Sequence, residues 1–461
     1  MQRTTWIAHN GTKRLFALRK ARWAVILGTL ALLARAQESS PSVLTLEDAI
    51  QQAVKNNSAL KTASLETLRA SDDLAANKTR RFANTNIIAL GGQLLTKPSV
   101  TFQQGSLGVY PGVGPIPGTN QKIEIARRPA GAVSASVVQP LSTQYRIHLQ
   151  LKALTFGVQA TREDEEKTRL EIVDRIRQAY YTVVQAQSAL DSLDASLPYY
   201  EETKRLAIEN HRRETILESD LLGADTQLLK TRNAVSDAKD QVANASEKLN
   251  DLMGRDIHTL FRVADISSAE GEVETPEVLE ERALKNRPDL KKAKLQVQQA
   301  HYDARAKKAD YIPDVSLAFN YFTTANLQNA LPSNIAVVGL QLTWEPWDWG
   351  RRREEYASKR VKEEQAKVAV SATERDALLE VRNAWRQLQN TWRQLQLTDA
   401  TERTARQGLK EVQEQVKREA VLTKVLFRAQ SDLTSADSEQ QRALAAFWKA
   451  RADLKKAIGE Q

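Results

Sequence analysis

The chain has 461 residues, with 66 Lys or Arg against 57 Asp or Glu and no cysteine. A chain without cysteine cannot form disulfides, thiolate metal sites, a Cys nucleophile or a lipidated N-terminal Cys. Most of the formal charge of +9 lies in residues 1–36, which hold seven Lys or Arg and no Asp or Glu. The basic balance therefore gives no argument for nucleic acid, and no basic-aromatic binding module appears.

In chain order, five basic side chains between Lys13 and Arg22 precede the apolar run Trp23–Leu33 and then Ala34-Arg35-Ala36. That order predicts a secretory signal peptide over residues 1–36. The apolar run is too short for a spanning helix.

The rest reads as one unit written twice, the signature to seek first in a long chain. Ala53, Lys55, Asn56, Leu60, Ala70 and Ala76 match Ala283, Lys285, Asn286, Leu290, Ala300 and Ala306 at one constant offset. Arg177, Ala179, Glu214, Leu217, Leu221, Ala224, Leu228, Leu249 and Gly254 match Arg382, Ala384, Glu419, Leu422, Leu426, Ala429, Leu433, Leu454 and Gly459 at a second one. The offset changes only across the β segments, so the first copy has the longer β loop. Residues 37–254 are the first repeat, 255–288 an equatorial linker and 289–461 the second repeat. Each repeat reads helix, strand, strand, very long helix, long helix.

Strands are expected over about 85–104 and 122–139, then about 314–330 and 335–345. Val315, Leu317, Phe319 and Tyr321 alternate with Ser316, Ala318 and Asn320. Val338, Leu340, Leu342 and Trp344 repeat the pattern, and Val133, Ala135 and Val137 repeat it weakly. The Gly/Pro-rich segment 111–118 lies between the first two strands. Pro140 and Pro346 mark the two strand-to-helix junctions. The second runs Trp344-Glu345-Pro346-Trp347-Asp348-Trp349-Gly350-Arg351-Arg352, and Trp344, Trp347 and Trp349 suggest a membrane-interface girdle.

Long helices are expected over about 146–253 and 351–459, each folded once. One heptad seam is Leu378, Val381, Trp385, Leu388, Trp392 and Leu395. Another runs from Leu221 to Leu252, and its repeat partner from Leu426 to Ala457. Sustained seams mean coiled-coil packing. A helix over about 351–418 spans roughly 100 Å at 1.5 Å per residue. Helices over 289–310 and 421–458, laid end to end, nearly match it and predict a wall of uniform height. Pro198 is a candidate kink.

Four strands cannot close a barrel, and open edges cannot sit in lipid, because every backbone polar group there needs a partner. Several chains must share one sheet, and three would supply twelve strands. The fold class is mainly α with a membrane β-barrel.

Catalytic and metal chemistry are missing from the pattern. The five histidines, His9, His148, His211, His258 and His301, lack metal-ligand spacing. No Gly-rich phosphate loop opens a helix. Glu163-Asp164-Glu165-Glu166 reads as helical surface charge. The expectation is a protein without enzyme activity, cofactor or metal.

The duplicated unit, the Pro140 and Pro346 junctions, Trp349-Gly350-Arg351-Arg352, and the paired Leu217, Leu221, Ala224 and Leu422, Leu426, Ala429 segments together resemble the TolC-like outer-membrane efflux protein family. The resemblance covers essentially the whole chain after residue 36. It implies a homotrimer with a 12-stranded barrel and an α-helical coiled-coil tunnel. It also implies a passive outer-membrane exit channel of a tripartite efflux or type I secretion system of a Gram-negative bacterium. A periplasmic adaptor and an inner-membrane pump are the implied partners, and the substrates are small molecules or proteins.

The turns near Glu214 and Glu419 would form the periplasmic tip, with Leu217, Asp220, Leu221, Lys417, Arg418, Leu422, Val425 and Arg428 as adaptor-contact and gate candidates. Departures from the family occur here. Glu214 and Glu419 stand where Gly is common, so the turn is expected to adjust, since Glu tolerates positive φ poorly. Asp220 matches a gating Asp, but Val421 replaces its Arg partner, and Val425 and Arg428 replace acidic constriction positions. Closure through Glu214, Glu419, Lys417 and Arg418 is the expectation. The competing reading is a soluble periplasmic coiled-coil scaffold with a small β docking domain.

Overall fold

A computed structural model describes residues 43–97, 99–124, 129–264, 274–326, 334–418 and 423–460. The expected signal peptide lies outside them. The first repeat holds β1 (Val43–Leu44), α1 (Leu46–Asn56), α2 (Ser58–Lys78), β2 (Asn84–Gln93), β3 (Ser99–Phe102), β4 (Val109–Tyr110), β5 (Gly114–Pro115), β6 (Gln121–Glu124), β7 (Pro129–Pro140), α3 (Thr143–Arg212) and α4 (Glu218–Leu252). After β8 (Arg262–Val263) come α5 (Pro276–Asn286), α6 (Pro288–Lys308), β9 (Asp314–Ala325), β10 (Asn334–Thr343), α7 (Arg351–Lys417) and α8 (Thr423–Ala457).

The main sheet is antiparallel in the order β10-β9-β7-β2. The spans expected as single strands over 85–104 and 122–139 each hold two strands, β2 and β3 in the first, β6 and β7 in the second. The β2–β7 ladder ends at Gln93 opposite Pro129, and a proline has no amide to carry it further. Beyond that point β3 and β6 form their own two-stranded ladder, topped by the β4–β5 hairpin.

The helices form a wall two layers long. α3 has 70 residues and continues past Pro198; α7 has 67. In one half the neighbours run α2, α3, α6, α7, and in the other α4, α3, α8, α7. The seam residues Ala224, Leu228, Thr231, Val235, Ala238 and Leu249 of α4 are buried, as are Ala436, Ala443, Phe447, Ala450, Leu454 and Ala457 of α8. Val381, Leu388 and Leu395 of α7 pack on the α8 seam in the second repeat's core. Small seam residues let helices approach closely, and Phe447 packs against Trp392 with ring centres 5.5 Å apart.

Two equatorial joints set the register between the halves. Asn57 breaks α1 from α2, and its side chain donates to the Leu252 carbonyl at the end of α4 (2.9 Å). Arg287 breaks α5 from α6 with nearly the same backbone angles and donates to the Ala457 carbonyl at the end of α8 (2.9 Å). Thus α4 meets α2 end to end along α3, and α8 meets α6 along α7. Gly254 and Gly459 follow α4 and α8 at φ +68° and +76° and press on the joints. A Cβ on Gly254 would lie 2.7 Å from the Asn56 carbonyl oxygen, and one on Gly459 3.0 Å from Arg287 Cα. The two repeat cores are bridged by Trp448, which packs on both and stacks on Tyr181.

Arg287 is well buried and bonds Asp289 (2.6 and 3.0 Å) and Glu380 (2.7 Å). Burial pushes the Asp289 carboxyl up, but the Arg287 hydrogen bonds and charge bring it below the usual aspartate range.

Gly254→Ala and Gly459→Ala are each expected to lower stability by about 1–3 kcal/mol, because an L-residue is strained at positive φ. Gly254→Ala should be the worse, and urea midpoints of the two variants check the ranking. A carboxyl with a depressed folded pKa contributes stability that is full above its unfolded value and fades as pH falls through the folded one. Asp289→Asn should therefore flatten the stability loss below about pH 4. Melting temperatures of both proteins across that range test it.

Candidate functional site: sheet faces, helix junctions and tip

Cross-strand partners share a face of a sheet. Register puts Val315, Leu317, Phe319 and Tyr321 of β9 opposite Leu342, Leu340, Val338 and Ala336 of β10. The same face continues through Val137, Ala135 and Val133 of β7 to Thr85, Ile87 and Ala89 of β2. The three alternations legible in the sequence thus form one apolar face. The opposite face carries Gln341, Ser316, Asn320, Ser136, Ser134 and Asn86, with Ile335, Val337, Ile88 and Leu90 toward the loop end.

The apolar face is uncovered: Val338 is 70 % exposed and Leu340 72 %. Among the described residues β2 and β10 each pair on one side only, so the sheet has two open edges there. Every residue of both edge strands is exposed.

All four strand–helix crossings are laced at one level. Gln139 and Gln144 donate to the Arg81 carbonyl (2.9 and 2.7 Å). Ser142 Oγ donates to the Pro313 carbonyl and accepts from the Val315 amide (both 2.7 Å). Arg146 bridges Asp310 and Asp314 at 3.3 and 3.2 Å. Lys307 reaches Glu355 at 2.6 Å.

At the Trp-rich junction, Asp348 starts α7: its carboxylate accepts from the Gly350 and Arg352 amides, both at 3.1 Å. These are orphan donors of a helix start. Burial alone would raise the Asp348 pKa; the two amides and the neighbouring guanidiniums bring it below its ordinary range. Trp349 and Gly350 turn the chain at φ 56° and 86°. Trp344, Trp347 and Trp349 are all exposed, and the last two pack edge to face at 5.8 Å. Sequence reading singled out these aromatics but not the capping role of Asp348; the Asp-x-Gly spacing before a helix was the available signal. Ser142, Gln139 and Gln144 carried no such signal, because Arg81, Pro313 and Val315, which they bond, are distant in sequence.

At the far end, α3 stops in a Schellman motif: the Glu214 amide bonds the His211 carbonyl (2.9 Å) and the Thr215 amide bonds Asn210 (3.0 Å). α4 and α8 end in the same bond pattern with Gly254 and Gly459. Here Glu214 occupies the left-handed position at φ 57°. The expected adjustment of the turn does not occur, since both capping bonds require that conformation.

Leu217 is exposed and precedes α4, whose first turn holds Glu218 and Asp220, a favourable place for negative charge. Leu221 is half-buried, while Arg418, Val425 and Arg428 are exposed. Glu419, Val421 and Leu422 lie outside the described residues, as does the Lys417 side chain. Among the described residues, no ion pair joins the two hairpin tips, no three His, Cys, Asp or Glu converge on a metal position, and no helix is long and apolar enough to cross a membrane.

A one-sided apolar sheet with open edges, laced to long coiled-coil hairpins, defines a subunit of an assembled β-barrel with a helical extension. The sequence profile of the outer membrane efflux protein family matches residues 120–255 and 279–460. The chain belongs to that family, whose members are passive channels rather than enzymes.

The solved outer-membrane channel OprN has the same fold, with a TM-score of 0.73 at 18% identity over 90% of each chain. The Campylobacter jejuni CmeC outer membrane channel gives 0.73 at 17%, covering 90% of this chain and 85% of that one. An uncharacterized protein of Haemophilus influenzae is 22% identical over 223 residues, 47% of this chain and 48% of that protein. The match thus spans about half the length of that curated relative.

Glu214→Gly is expected to stabilise the hairpin by about 1 kcal/mol, since glycine occupies the left-handed region without Cβ strain. Thermal melts of the purified protein decide it: an unchanged or lower midpoint would remove the strain argument.

Proposed function

We propose that the protein is a passive exit duct through the outer membrane of a Gram-negative bacterium. Three copies join β2 to β10 into one twelve-stranded barrel, and their helices form a tunnel into the periplasm. The open edges carry the reading, supported by the uncovered apolar face. In lipid each unpaired edge amide or carbonyl would cost several kcal/mol, so the edges demand each other. A soluble scaffold with a docking sheet would leave that apolar face facing water.

The duct supplies no energy. It receives small molecules or proteins from an inner-membrane pump through a periplasmic adaptor that meets the tips around Glu214 and Glu419. Leu217, Leu221 and Leu422 are the contact candidates. Closure uses Glu214, Glu419, Lys417 and Arg418 in place of the Asp220–Arg pair that Val421 removes. Val425 and Arg428 replace an acidic constriction.

Single-channel conductance in planar bilayers, with the particle mass of the same detergent preparation, tests the reading. Discrete openings from a trimer-sized particle are expected. A protein that stays soluble without detergent and never inserts would favour the scaffold. Glu214→Gly combined with Glu419→Gly should change the conductance; an unchanged value removes both residues from the gate.

A further inference from the structure

The foot of the sheet carries more positive charge than its own ion pairs use. In the crossings at 78–82, 141–146, 305–314 and 343–355, ten Lys or Arg stand with six Asp or Glu. Five of those carboxylates are engaged. Arg146 holds Asp310 and Asp314, Lys307 holds Asp310 and Glu355, and Arg351 and Arg352 share Glu345. Arg352 also reaches Asp348. Lys78, Arg80, Arg81, Lys308 and Arg353 are exposed and have no carboxylate partner among the described residues. Lys308 instead lies over the Tyr356 ring, 6.0 Å from its centre.

Placement gives this excess a direction. Gln139 belongs to the apolar face by register and donates to the Arg81 carbonyl, so the turn bearing Arg80 and Arg81 lies at the foot of that face. The lacing described above holds the other crossings at the same level. Trp347 and Trp349, 71 % and 90 % exposed, stand beside Arg353 in the chain at that level. An apolar wall therefore ends at one level that carries both exposed indoles and guanidinium and ammonium groups without carboxylate partners.

We infer that this collar binds anionic phospholipid headgroups of the leaflet on the helical side of the sheet. Arginine forks fit phosphate oxygens, indoles settle at the headgroup level, and acyl chains lie along Val338, Leu340 and Leu342. Attraction of juxtamembrane Lys and Arg to an anionic leaflet acts only within a Debye length, which the exposure of these side chains allows. The inference rests on the proposed membrane embedding of the apolar face. It adds a lipid preference and names the groups that set it.

The test reconstitutes the full chain into phosphatidylcholine nanodiscs with and without phosphatidylglycerol. Lipid retained after detergent extraction is then counted by native mass spectrometry. Wild type should retain phosphatidylglycerol severalfold above its bulk share, less so at high salt. Arg80→Gln/Arg81→Gln/Lys308→Gln/Arg353→Gln should retain it at the bulk ratio while assembling to the same mass. If that variant does not assemble, Arg80→Gln/Arg81→Gln is read in its place, with a partial loss expected.

Full retention by the variant, or no preference by a wild type that inserts, overturns the inference alone. Inorganic phosphate that binds the collar while phosphatidylglycerol shows no enrichment makes it a free-anion site and also overturns it. Failure to enter either bilayer sinks the membrane reading as well.

Discussion

Unpaired backbone groups along two strands organise this molecule. β2 and β10 end a four-stranded sheet whose apolar face is bare, and each presents a row of amides and carbonyls with no strand partner among the described residues. In water such edges invite aggregation; in lipid they are prohibitive. A closed barrel removes both problems, and one chain is too small to make it. Fold and oligomer are thus one physical question, and the helices must be read as part of the same closed object.

That demand reaches the helices through the laced crossings. Because Gln139, Ser142, Arg146 and Lys307 tie all four strand ends to neighbouring segments, the tilt of the sheet is passed to α3 and α7 at one level. The surface ion pairs among these ties are individually weak. Ser142, which bonds two backbone groups of the facing segment, and Asp348, which caps α7, fix position more firmly because each satisfies backbone groups left over at a change of structure.

Further down, the repeat does the same work twice with different side chains. Asn57 and Arg287 both interrupt a helix and both bond the last carbonyls of the helix that meets them end on. The glycine after each long helix permits the close approach. Asn57 does this with one amide, whereas Arg287 adds an ionic hub with Asp289 and Glu380. At the tip the symmetry of means breaks. Glu214 adopts the conformation that glycine supplies at Gly254 and Gly459, which places local strain at the end of the molecule proposed to meet a partner.

Much of this was legible in the residues. Periodicity is a local property, so the alternation in β7, β9 and β10 marked strands and their apolar sides, and the heptads of α4, α7 and α8 marked helices and their buried sides, without any knowledge of neighbours. The duplication likewise followed from matched residues alone. The division of the first β segment was not legible, because Gln93 ends its ladder only by meeting Pro129, a residue distant in sequence. Nor was the shared face of three separate alternations, which depends on register between strands.

The conformation of Glu214 ran against local propensity, because two capping hydrogen bonds outweigh a Cβ contact. What the sequence determined by itself was therefore the kind of most elements, the face each long helix would bury and the apolar side of the strands. What only tertiary structure decided was which elements meet, at what level, and with which spare charges and open edges left over, since those depend on contacts between residues far apart in the chain.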